Sequence, residues 1–147
     1  MSTPLNKKNL TLFVLGLAEG QSLTPVQLQK AVFLLQQRMP EGVIARDRYE
    51  FVPYNYGPFC SQVYKDAKDL AEQGLASVTK PDDGVQSYAA NSHGVKRTQD
   101  MLNKMDPSVA DRAKSLVSWV RSLSFASLVN AIYEEYPEYK VNSIFKG

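Results

Sequence analysis

The chain has 147 residues, 44% of them hydrophobic and 22% charged. By surface scaling it would fold from about 24,000 Å² of exposed surface to roughly 7,500 Å², enough burial for one sizeable core without staples, which excludes a largely disordered chain. Seventeen Lys and Arg against fifteen Asp and Glu give a net charge of +2, less than the basic excess usual for nucleic-acid domains. A single cysteine cannot form an internal disulfide, and the apolar run Leu10 to Ala18 is short of a bilayer span. These features lead us to expect a soluble, cytoplasmic protein that does not enter membranes.

Residues 1–8 read as a flexible tail. The apolar run from Asn9 to Glu19 predicts a buried helix, ended at Gly20. Thr24-Pro25-Val26-Gln27 is a capping box with proline at the first helical position, and the helix it opens runs to about Met39, with Leu28, Ala31, Val32 and Leu35 as its stripe. Residues 43–48, with Arg46 and Arg48, read as an exposed loop. Tyr49 to Tyr54 predicts a short edge strand or extended segment because of Pro53, and Asn55-Tyr56-Gly57-Pro58 a turn. Ser61 to Gln73 is the next helix. Ala76–Thr79 and Val85–Ala90 form a hairpin around Pro81-Asp82-Asp83-Gly84, and 91–96 reads as a loop. Helices follow over about 95–105, from Asp106-Pro107, and from Ser124 to Pro137.

The expected fold is therefore mainly α (α+β). A winged-helix-like core spans 9–90, with a small β-wing, and additional C-terminal helices occupy 95–140 of the same single domain.

Recognisable catalytic signals are missing. His93 is the lone histidine, in a turn-like Asn-Ser-His-Gly, and no phosphate loop or zinc-ligand spacing is present. Cys60 precedes a helix, where a thiol can be activated, but its apolar neighbours favour packing. No cofactor, no metal and no enzymatic activity are expected; a hydrolase using Cys60 is the weakest reading.

A winged helix invites a DNA reading. Its recognition-position helix, Ser61 to Gln73, carries Lys65 and Lys68 against Asp66, Asp69 and Glu72, the wrong sign for a phosphate surface. Gln62, Lys65, Lys68, Lys80, Arg46 and Arg48 are the candidate DNA contacts, and binding through them is expected to be weak.

The most distinctive stretch is Phe51-Val52-Pro53-Tyr54-Asn55-Tyr56-Gly57-Pro58-Phe59. Phe51 and Phe59 suit the core. Tyr54 and Tyr56 suit either the core or an interface, because tyrosine buries area at little rotamer cost and keeps a polar tip.

Leu28-Gln29-Lys30 followed by Phe33-Leu34-Leu35 resembles the corresponding helix of the Panacea, or SocA-like, domain family, and Tyr56-Gly57-Pro58 resembles its "YGP" turn. Val63-Tyr64, Leu70 and Gly74-Leu75 resemble its next helix, and Tyr136-Pro137-Glu138-Tyr139 is similar to an element of YwgA-like relatives. Asn91-Ser92-His93-Gly94 departs from the family's Leu-Thr-x-x-Gly. The resemblance covers about residues 10–140. It implies a small bacterial or phage-type antitoxin that neutralises a toxin by direct contact or delivers it to a protease as an adapter. Carried over by position, Lys30, Tyr54, Tyr56, Gly57 and Pro58 match the family's motif; with Asn55 they are the expected partner-binding residues, and the partner is a protein.

Overall fold

A computed structural model describes residues 3–82 and 84–146. The first helix, α1 (Lys7–Leu17), is apolar nearly all round, and Leu10 to Gly16 are all buried. A helix of that kind must be covered on every side, and α1 is: α2 (Pro25–Arg38), α3 (Ser61–Glu72), α4 (Ser92–Asn103) and α5 (Pro107–Ser122) all pack against it. α2 opens on the expected capping box, with Thr24 and Gln27 bonding each other's backbone N–H. α6 (Phe125–Glu135) and a 3-10 turn (Pro137–Lys140) complete the chain, and the fold is mainly α with two small antiparallel sheets. One apolar cluster runs from Leu5 through α1 and α2 to Ile132 of α6. No helix among the described residues is long and apolar enough to cross a membrane.

The first sheet is the hairpin β1 (Val52–Tyr54) and β2 (Gly57–Phe59), joined by Asn55 and Tyr56. β1 is the expected short strand, whereas the turn, expected over 55–58, closes at Tyr56, so that Gly57 and Pro58 pair back on β1 as part of β2. The second sheet, β3 (Ala76–Thr79) and β4 (Ser87–Ala90), is the expected hairpin with a later second strand, because Val85 stays exposed. Leu23, between α1 and α2, exchanges two backbone hydrogen bonds with Tyr88 at 2.7 and 2.9 Å, tying that hairpin to the helical layer.

Three further expectations need correction. Residues 3–8 are not a loose tail. Leu5 is buried, its N–H donates to the Val43 carbonyl, and its carbonyl accepts from Ala45 N–H. Residues 43–48 are accordingly not all exposed, since Ile44 sits in the core beneath that contact. Residues 92–94 begin α4 rather than a loop. Asn91 caps it by accepting from Gly94 N–H at 3.0 Å, and Gly94 is there for close approach, because a Cβ would fall 2.1 Å from the Leu75 carbonyl oxygen.

Candidate functional site

The β1–β2 hairpin carries a proline in each strand. Pro53 faces Pro58 across the ladder, and neither has an N–H to donate. Helix α2 bonds backbone groups in β2 and just beyond it. The Gln29 side chain, 1% exposed, donates to the Cys60 carbonyl at 2.8 Å and accepts from Cys60 N–H at 3.0 Å. One turn position on, the Lys30 ammonium, 3% exposed, donates to the Pro58 carbonyl at 3.0 Å. Burial lowers Lys30 from its ordinary 10.5 to about 8, because a buried ammonium loses its hydration.

Gly57 makes this packing possible. Its φ of +106° suits glycine, and a Cβ there would lie 3.3 Å from the Tyr133 ring and 3.6 Å from Lys30 Cε. Lys30, Gly57 and Pro58, expected to meet a partner, are therefore buried: Lys30 bonds the hairpin from behind, and Gly57 and Pro58 form its covered strand. Asn55 is half-buried, with its carbonyl accepting from Ser143 Oγ and Ile144 N–H.

The other side of the hairpin faces solvent. Tyr54 is 49% and Tyr56 37% exposed, which resolves the alternative left open by the sequence in favour of the surface. Tyr56 packs edge-on against Phe125, with ring centroids 5.0 Å apart, and Tyr54 lies over Phe59 at 4.8 Å. Val52, Phe125 and Ile144 are also exposed, so apolar side chains from the hairpin, α6 and the segment after it share this region. Phe51 points inward, edge-on to Phe33 at 5.2 Å, as expected; Tyr136 and Tyr139 pack edge-on against the same ring. Phe59 is only half-buried, lying between Tyr54 and Tyr64.

A second buried polar cluster sits under α3. The Tyr49 hydroxyl lies 2.6 Å from Asp66 Oδ2, 2.6 Å from Thr11 Oγ1 and 2.9 Å from the Lys7 carbonyl. Its phenol is pushed well above the ordinary range, first by burial and then by the bond to Asp66. This cluster changes the charge reading of α3. Asp66 is turned inward, and Asp69 pairs with Lys8 at 3.3 Å. The outer face keeps Gln62, Lys65 and Lys68 against Glu72 and the half-exposed Asp69, so with Asp66 withdrawn the negative excess expected from the whole helix is cancelled on the face that solvent sees. Arg46 and Lys80 are exposed, whereas Arg48 donates to the Ala45 and Gln36 carbonyls and holds its own loop.

The remaining reactive residues stand apart. Cys60 is half-buried at the start of α3 with apolar neighbours, and His93 is exposed in the first turn of α4. Among the described residues no group of three His, Cys, Asp or Glu could hold a metal ion. The largest cleft described, about 690 Å³ between Leu5, Val43, Met101 and Met105, includes none of the sequence-predicted residues.

Gln29 and Phe125 belong to the site although sequence reasoning did not place them there. A signal for Gln29 existed: with Lys30 it is the polar interruption of an otherwise apolar run from Leu28 to Leu35, and all eight residues are buried. Phe125 had none, since its contact with Tyr56 spans sixty-nine residues of sequence. Compared with known proteins, the chain matches no protein-family model and no curated sequence.

Proposed function

We propose that this protein is a non-catalytic protein-binding module, acting as an antitoxin-like neutraliser or proteolytic adapter for a partner toxin. One observation carries the reading: Tyr54 and Tyr56 stand exposed on a hairpin whose backbone is gripped from behind by Gln29 and Lys30. An aromatic rim held on a fixed backbone loses little entropy on binding, and tyrosine is a frequent hot-spot residue. The toxin as partner rests on the resemblance to Panacea-domain antitoxins. The test is to express the neighbouring open reading frame alone and with this chain. Growth arrest should occur alone, wild type should relieve it, and Tyr54→Ala/Tyr56→Ala should fail to relieve it while remaining folded. Relief by the double variant would refute the assignment.

The outer face of α3 favours a second reading, a winged-helix DNA-binding regulator. Asp66 is withdrawn from that face, Asp69 is paired with Lys8, and the Leu23–Tyr88 bridge joins the β3–β4 hairpin to the helices as a wing would require. Under this reading Lys65→Ala and Lys68→Ala would each lower the salt slope of binding to promoter DNA by about 1. An unchanged slope would remove it.

A further inference from the structure

The chain covers part of its own hairpin. After the 3-10 turn, residues 141–146 run back over the β1–β2 turn without regular structure. Ile144 N–H donates to the Asn55 carbonyl at 3.0 Å, Ser143 Oγ donates to the same oxygen at 3.2 Å, and Asn142 Nδ2 donates to the Pro53 carbonyl at 3.3 Å. The Phe145 ring sits 5.8 Å from Phe125 and 6.5 Å from Tyr133, centroid to centroid. Val141 and Ile144 meanwhile remain 75% and 57% exposed.

This attachment differs from the clamp behind the hairpin. Gln29 and Lys30 are buried, whereas the segment holds on at the surface by a few bonds and one half-buried ring. It also fits incompletely: the hydroxyl of Tyr133, whose ring lies 6.5 Å from that of Phe145, is buried and has no hydrogen-bond partner among the described residues. A buried donor left unpaired favours any occupant that brings an acceptor to it.

We infer that residues 141–146 form a displaceable strap lying in the docking site for an extended segment of a partner protein, one that carries an aliphatic–aromatic pair and a hydrogen-bond acceptor next to it. The partner's aromatic ring takes the place of Phe145 against Phe125 and Tyr133. Its backbone N–H replaces that of Ile144 on the Asn55 carbonyl, and its acceptor takes the Tyr133 hydroxyl. Extended peptides are commonly held by main-chain hydrogen bonds together with side chains anchored in pockets. The inference rests on the hairpin being the docking surface, and it adds a competitor already in place.

The experiment uses the full chain and a synthetic peptide of residues 141–146 with blocked ends. Phe145→Ala loosens the strap at its anchor, and Asn142→Ala/Ser143→Ala loosens it without touching an aromatic; melting curves verify that both fold. Peptide is titrated to millimolar concentration while the amide resonances of Asn55 and Phe125 are followed. Both loosened proteins should bind the peptide roughly tenfold or more tightly than wild type, because a tethered competitor acts at an effective concentration near millimolar. A peptide with alanine at its Phe145 position should not shift those resonances. Equal affinity for wild type and both variants, or no shift at Asn55 at millimolar peptide, overturns the strap. If the strap exchanges but a toxin is still neutralised by Tyr54→Ala/Tyr56→Ala, the docking reading fails; if neutralisation needs the tyrosines and the peptide does not exchange, the strap alone fails.

Discussion

The two strands of the β1–β2 hairpin lie side by side and have opposite surroundings. In β2, Gly57 and Pro58 are buried, and the backbone just beyond them is bonded to Gln29. In β1, Val52 and Tyr54 are exposed, and Tyr56 follows them at the turn. A motif that reads as one aromatic cluster thus divides into a strand that fixes position and a rim that faces outward. Substitutions in β2 or its clamp should lower stability, and substitutions on the rim should lower binding. Each variant below tests that division.

The largest loss should come from Gln29→Leu. It leaves the Cys60 N–H and carbonyl unpaired beside the core, at about 1–3 kcal/mol each. Denaturant unfolding should show a loss of about 2–5 kcal/mol; a loss below about 1 kcal/mol would mean that the clamp does not hold β2.

Lys30 gives a pH signature. Its pKa is 10.5 unfolded and about 8 folded, so between those values the unfolded chain binds more protons. Stability therefore rises with pH from about 8 to 10.5 and is lost again as pH falls through 8. The gain is roughly 3 kcal/mol. Tyr49 and Tyr64, both raised by burial, act in the opposite direction above pH 10. They do so equally in Lys30→Met, so the difference between wild type and Lys30→Met isolates the lysine. A difference that does not change with pH would place the ammonium in solvent.

Gly57→Ala should cost about 1–3 kcal/mol, since alanine must adopt a φ of +106° with its Cβ crowding Tyr133. Thermal melting measures it, and an unchanged melting temperature would show that the turn can relax. Tyr54→Ala should have the smallest effect, about 1 kcal/mol or less, from the lost ring contact with Phe59. A loss of about 3 kcal/mol or more would return Tyr54 to the core and blur the division.

Local signals made much of the fold legible. The capping box at Thr24, the Asp106-Pro107 start and the Ser124 cap all lie where sequence chemistry puts them, because capping depends on residues within one helical turn. What escaped depends on distant partners. Leu5 is buried only because Val43 and Ala45 pair with it, and Gly94 reads as a turn residue until Leu75 is brought against it. The candidate site shows the same limit. The exposure of Tyr54 and Tyr56 follows from β1 lying on the outside of a pairing that the facing prolines disguise, and the inward turn of Asp66 follows from a tyrosine seventeen residues earlier. Charge counted along a helix does not say which carboxylates solvent will meet.

Within the hairpin and the residue after it, the clamp of α2 bonds main-chain atoms: the Cys60 N–H and carbonyl, and the Pro58 carbonyl. It is blind to the side chains carried on the opposite strand. Val52, Tyr54 and Tyr56 can then be exchanged for other residues while the same three bonds keep the ribbon in place. A combinatorial library at these positions should yield mostly folded proteins with differing recognition properties, so one frame could be retargeted by rewriting a few letters on its rim.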